Sequence, residues 1–383
     1  YYEILENKLS TFFIPHQSFN SRFLKVVKWI GVVVVGLIMA LIMVIGIARI
    51  STYTSNRINT ANGVDEGVYV TLGGQEQYLL IRGKDIDNPV IIWLHGGPAG
   101  PDAYTNYVFQ QQLIDSYTVV NWDQRGCGRT YFRNIDRDPN NETATFEQTQ
   151  IDLDDLVNYL CERFKKDKVI IIGHSYGTAV GSQYAITHPD QVAAYIGVGQ
   201  LVSFDSEVYS YEDALQKAIA SGDDTSAMEF AYQEFLDDKT LMNMLKLRGQ
   251  VSEYHISEKS DNNNTPWFAI KSPYMGIDDI RWFLKQVEST EDFISLNKNL
   301  FDYIMGIDVR EYGMNYQVPV GFISGSDDWT TPVKYTSDYY DLITAPEKQM
   351  QLIDGCGHYP QYEDPESFCE TLETMLNSLV EYY

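Results

Sequence analysis

Basic residues are scarce in this chain: 28 Lys and Arg stand against 53 Asp and Glu over 383 residues, a formal net charge of -25. Such a surface repels nucleic-acid phosphates, so no nucleic-acid partner is expected; the acidity either favours cationic substrates or serves solubility. Cysteine is also sparse. Cys127, Cys161, Cys356 and Cys369 are widely separated and form no CxxC or Cys/His spacing, which argues against a zinc site and against a disulfide framework. No motif calls for a metal or a cofactor. Histidine is limited to six residues, which narrows the search for a catalytic base.

A long apolar run is present. Trp29 to Ala48 holds 20 uncharged residues, which as a helix would be about 30 Å long, the thickness of a bilayer core. The run predicts a single transmembrane helix, longer than the apolar part of a signal peptide. Arg22, Lys25 and Lys28 precede it and Arg49 and Arg57 follow it, a balance that favours a cytoplasmic N-terminus and an extracytoplasmic soluble domain.

Beyond the apolar run, residues 1–28 form an N-terminal segment, 29–48 the span, and 49–63 a polar linker. A hairpin pattern around Gly73-Gly74 starts the soluble part near Val64. Apolar runs at 89–96, 117–123, 168–175, 192–199, 318–325 and 348–354 read as buried parallel strands. Helical stripes separate several of them: Leu153, Leu156, Val157, Leu160, Cys161 and Phe164 share one face, as do Phe368, Leu372, Met375, Leu376 and Leu379. The alternation predicts an α/β domain, residues 64–200 and 317–383, with a mostly parallel central sheet flanked by helices. Residues 201–316 lack a strong strand run and read as an inserted helical cap.

Gly173-His174-Ser175-Tyr176-Gly177 fits G-x-S-x-G and lies between an apolar run and a helix-compatible stretch, the context of a nucleophile elbow. A serine hydroxyl needs a base, and the base needs a partner that fixes its tautomer. His358 follows the last strand and is the best base. His95 and His174 lie inside other motifs, His16 precedes the span, and His188 and His255 suit structural or surface positions. The loop after the strand at 318–325 offers Asp327 and Asp328; the Gly325, Asp328, Pro332 spacing selects Asp328, with Asp327 as the alternative. His95-Gly96-Gly97-Pro98 follows the strand at 89–96, so Gly97 and Tyr176 are the candidate oxyanion-hole amides.

HGGPAGP at 95–101, DQRGCGRT at 123–130, GHSYG and the late Asp and His together resemble the proline iminopeptidase group of the α/β-hydrolases, over residues 64–383. The resemblance implies an α/β-hydrolase fold with a helical cap, and hydrolysis of short peptides from their N-terminus through an acyl-enzyme. In that family the DQRG segment lies beside the active site, and Asp123 and Arg125 are a candidate ion pair supporting the oxyanion loop. Cap carboxylates of the family hold the substrate ammonium, which makes Glu207 the candidate here, with Gly96 as a second substrate-binding residue. The elbow sequence departs from the Gly-Gly-Ser-Trp-Gly common in the family and matches many esterases. A carboxylesterase acting on small esters or amides is therefore the alternative expectation, and a non-catalytic binding module on the same scaffold a third.

Overall fold

The computed structural model describes residues 17–380. The first part of the expected N-terminal segment, with His16, lies outside the described residues. The chain divides into two units, Tyr1–Ser55 and Asn56–Tyr383.

Among the described residues the first unit lies in helix α1 (Gln17–Asn56), which ends on the first residue of the second unit and whose stretch Phe23–Asn56 is long and apolar enough to cross a membrane. Most of its aliphatic side chains, Ile30 and Leu37 among them, are exposed. The helix continues past Ala48 to Asn56, through the first part of the segment expected as a polar linker. Residues 49–56 contain neither Gly nor Pro to break it, and its last carbonyl, that of Asn56, accepts from Arg82 Nη2 at 2.7 Å.

The second unit is built on eight strands: β1 (Val64–Leu72), β2 (Gln75–Gly83), β3 (Val90–Leu94), β4 (Thr118–Asp123), β5 (Val169–His174), β6 (Val192–Val198), β7 (Val320–Gly325) and β8 (Lys348–Ile353). They form one sheet in the order β1-β2-β4-β3-β5-β6-β7-β8. Only the β1–β2 and β2–β4 pairings are antiparallel. The fold is that of an α/β-hydrolase, and burial explains each strand's composition. Central β3 and β5 are Val- and Ile-rich and buried on both faces, whereas the edge strand β1 alternates.

Helices cover both faces. In chain order they are α2 (Tyr107–Leu113), α3 (Gly128–Asn134), α4 (Phe146–Phe164), α5 (Tyr176–Thr187) and, after the cap, α13 (Val333–Leu342), α14 (Pro360–Glu363) and α15 (Pro365–Leu379). Ile92 and Leu94 pack with the Leu153–Phe164 stripe of α4, while their neighbours Ile91 and Trp93 pack on the other face with Phe368 and Leu372 of α15. Between β6 and β7 lie α6 (Ser206–Ser221), α7 (Ser226–Asp237), α8 (Leu241–Val251), α9 (Thr265–Lys271), α10 (Ile277–Glu288), α11 (Thr290–Leu296) and α12 (Lys298–Met305). This helical insertion has a small core of its own around Tyr211, Met228, Phe235 and Leu247.

In-register pairing of Leu94 with Gly173 and of Gly173 with Gly197 brings the C-terminal ends of β3, β5 and β6 level. The loops that follow these strands therefore open on one edge of the sheet, where open α/β folds bind ligands.

A buried ion pair ties this edge to the rest of the domain. Arg125, after β4, donates from Nε and Nη2 to Asp152 of α4, at 2.7 Å each, and from Nη2 to the Gly73 carbonyl at 2.8 Å. The expected partner, Asp123, instead accepts from the Arg129 amide at 3.0 Å. That residue ends β4 and its carboxylate caps the turn into α3, out of line with the Arg125 fork. Replacing Arg125 with Met leaves Asp152 as an uncompensated buried charge, and the expected loss is about 3–5 kcal/mol of stability. Urea unfolding of the detergent-solubilised chain, followed by tryptophan fluorescence, measures it; a loss below ~1 kcal/mol would refute the role given to the pair.

Candidate active site

The turn from β5 into α5 confines Ser175 to φ 53°, ψ -120°, a left-handed conformation that costs a non-glycine residue about 1–3 kcal/mol. Small neighbours make the turn possible. A Cβ at Gly177 would fall on the Leu94 carbonyl oxygen, and one at Gly173 on that of Gly177. At Gly96 a Cβ would come within 3.0 Å of the Ser175 Cβ, so the loop after β3 also passes close to the serine.

His358 lies on the loop between β8 and α14, and its Nδ1 is 2.9 Å from Asp328 Oδ2. The carboxylate can only accept, so Nδ1 carries the proton and Nε2 is left as the basic nitrogen. Asp328 is buried on the loop after β7 and accepts three further bonds: from the Thr330 and Thr331 amides at 2.9 Å each and from Thr331 Oγ1 at 2.8 Å. Burial pushes its pKa up. The charge and hydrogen bond of His358 and the bonds from Thr331 outweigh burial and hold the carboxyl below its ordinary range, so it stays ionised at neutral and mildly acid pH. Asp327 points elsewhere, accepting from the Glu258 amide at 3.2 Å and from Ser326 Oγ at 3.0 Å.

The serine and the histidine loop are tied through His174. Its Nε2 donates to the His358 carbonyl at 2.9 Å, and the two rings lie 5.0 Å apart. Burial, reinforced by the charge of His358, lowers the His174 pKa to about 3, so this ring is a neutral strut. Gly199, after β6, closes the other side, because a Cβ there would approach the His358 ring and Thr331 Oγ1 at 3.2 Å.

His95 plays a similar part beneath the glycine loop. Burial lowers its pKa to about 4, so it is neutral. Nδ1 donates to the Gly96 carbonyl at 2.8 Å, and Nε2 accepts from the Gln124 amide and faces Cys127 Sγ, both at 3.4 Å. The Gly96 carbonyl also accepts from the Gly100 amide at 3.2 Å. In a planar trans peptide the N–H points opposite to the C=O, so these two bonds turn the Gly97 N–H out of the loop. The Tyr176 amide is the first of α5 and has no intrahelical acceptor.

Ser175, Gly97, Thr330 and Thr331 line one cavity of about 50 Å³, together with apolar Leu201, Phe204, Leu241, Met244, Phe301 and Ile304. Arg248 of α8 also lines it. Glu207 does not, and the expectation of a free ammonium-binding carboxylate is corrected. Its buried side chain accepts from Arg248 Nε at 3.0 and 3.1 Å and from Nη2, so the guanidinium occupies the carboxylate and faces the cavity in its place. The sequence offered no signal for Arg248, which lies 41 residues beyond its partner. All four cysteines are free, and no His, Cys, Asp and Glu cluster among the described residues could hold a metal.

The chain belongs to the α/β-hydrolase fold family, whose model matches residues 89–365. A probable aminopeptidase of Bacillus subtilis is 26% identical over 313 residues, covering 79% of this chain and 93% of its own length. A proline iminopeptidase of Lactobacillus delbrueckii subsp. bulgaricus is 24% identical over 315 residues, covering 81% and 97%. The crystal structure of a proline iminopeptidase-related protein from Thermus thermophilus shares the fold, with a TM-score of 0.57 at 18% identity, over 83% of this chain and 99% of that one.

If Asp328 orients His358, Asp328→Asn lowers kcat on an activated ester by about 10⁴-fold, because an amide stabilises the wrong tautomer. Asp327→Asn should stay within about threefold of the parent. Equal losses in the two variants, in steady-state assays of folded protein, would reject the assignment to Asp328.

Proposed function

We propose that this chain is a membrane-anchored serine hydrolase that cleaves the N-terminal residue from short peptides through an acyl-enzyme. The observation that carries the reading is the His358–Asp328 hydrogen bond at the strand edge where Ser175 is held in its strained turn. Ser175 Oγ attacks the scissile carbonyl carbon while His358 Nε2 takes its proton. The Gly97 and Tyr176 amides stabilise the oxyanion. As the C–N bond breaks, His358 returns the proton to the leaving amine, and water then releases the acyl group by the same steps in reverse order. The names of the relatives support a peptide substrate, and the apolar lining suits a compact apolar acyl group such as a prolyl ring. The length and composition of α1 support a single bilayer span, and the Lys and Arg flanks support an extracytoplasmic catalytic domain.

Ester or amide hydrolysis without a free substrate amine is the second reading. It is favoured by Arg248, since a guanidinium at the cavity wall opposes an ammonium, and Glu207 is already committed to it.

Proline β-naphthylamide, its N-blocked counterpart and a short p-nitrophenyl ester, assayed side by side, separate the two. The peptidase reading expects turnover of the free amine well above that of the blocked compound, and fails if only the ester is cleaved. Under either reading Ser175→Ala abolishes fluorophosphonate labelling and lowers kcat by about 10⁶-fold; retained labelling would remove Ser175 from the chemistry.

A further inference from the structure

Helix α10 of the cap shows solvent a surface that a water-exposed helix has no reason to carry. Ile277, Ile280, Phe283, Leu284 and Val287 are each between 40% and 69% exposed. At 100° per residue the five fall within an arc of about 120°, one continuous apolar stripe. Asp279 and Trp282 occupy the opposite, buried side. Asp279 pairs with Arg129, and Trp282 Nε1 donates to the Ala99 carbonyl at 3.0 Å, on the loop that carries Gly97. The exposed stripe therefore belongs to a rigidly seated helix and is not the outcome of loose packing. Trp267 and Ile270 of α9 add exposed apolar surface just before it.

The contacts of Arg82 indicate what covers the stripe. This buried guanidinium donates to the carbonyl of Asn56, the last residue of α1, and pairs with Asp65 at the start of β1. It also lies over the ring of Tyr274, 4.7 Å from its centroid, and Tyr274 OH donates to Asp65 at 3.4 Å. Only Met275 and Gly276 separate Tyr274 from α10. The connection between is not slack chain either: Thr60 donates to the Lys84 carbonyl, and the Ile86 amide to that of Asn62 at 2.9 Å. The N-terminus of α10 is thus fixed one side chain away from the residue where the apolar helix ends.

We propose that α10 docks on the bilayer that α1 crosses, with Ile277, Ile280, Phe283, Leu284 and Val287 in the boundary between headgroups and acyl chains. This rests on α1 being a bilayer span. An amphipathic helix lying in that boundary buries its apolar face about 5–10 Å deep, which suits a stripe of this width. The net charge of -25 makes zwitterionic lipid the appropriate surface, because anionic headgroups would repel the domain. Docking would hold α10 against the lipid on one side and the Ala99 carbonyl on the other.

The test uses the full chain in phosphatidylcholine vesicles, with Cys161→Ser to remove the one native cysteine that is not buried. An environment-sensitive fluorophore is attached at Phe283→Cys, or at Val287→Cys one turn further on should the first variant not fold, and at Glu370→Cys on α15 as the solvent-exposed control. Docking predicts that doxyl-labelled lipid quenches the α10 label at least about threefold more strongly than the control, and that aqueous iodide does the reverse. An α10 label as open to iodide as the control overturns the proposal. Protection from both quenchers overturns it too, since the stripe would then be covered by protein, a second copy included. Failure of the anchor is read separately: a carbonate wash would strip the chain from the vesicles before any label is examined, and the docking would fall with it.

Discussion

The site depends on how closely three backbones approach where β3, β5 and α5 meet. Gly173 and Gly177 leave no room for a side chain between the elbow and the end of β3, and that contact holds Ser175 at φ 53°. The strain of that conformation, about 1–3 kcal/mol, is small beside the packing that imposes it, with every residue of β5 buried and most of α5 as well. The same approach carries the Gly96–Gly97 turn alongside the serine. One steric requirement thus positions both the hydroxyl and the loop that faces it.

Around this point, polar groups that burial would otherwise penalise are satisfied by one another. His95 is neutral and binds the Gly96 carbonyl on one side and the Gln124 amide on the other, bridging the glycine loop and the DQRGCGRT segment. His174 is also neutral and carries the backbone of His358. Arg125 and Asp152, Arg129 and Asp279, and Arg248 and Glu207 are each closed pairs, so the charges below the cap are fixed in geometry and largely cancelled. The acidic composition of the chain therefore says little about the cavity, whose charged lining residue is a guanidinium.

The cap joins this interior to the outside through α10. The inner side of the helix reaches the loop after β3 through Trp282, and Tyr274, just before its start, lies under Arg82, which also donates to the Asn56 carbonyl. The same helix thus contacts the loop after β3 on its inner side and shows an apolar stripe on its outer side.

Period-2 and unbroken apolar runs were enough to locate the strands, since buried parallel strands carry Val and Ile whatever their partners. The stripe on α4 and the glycines of the elbow are equally local signals, and they made the α/β-hydrolase fold legible from the sequence. The length of α1 was less legible, because residues 49–56 contain neither Gly nor Pro to mark where the helix ends. Side-chain pairing was the least legible. Arg125 lies two residues from Asp123 in the chain yet bonds to Asp152, and Glu207 is held by Arg248, because partners are chosen by where strands and helices bring their side chains. The sequence by itself determined which elements form and which loops hold the serine, aspartate and histidine. Only the tertiary structure decided which charges cancel and which apolar face stays uncovered, since both depend on contacts between segments that no local pattern encodes.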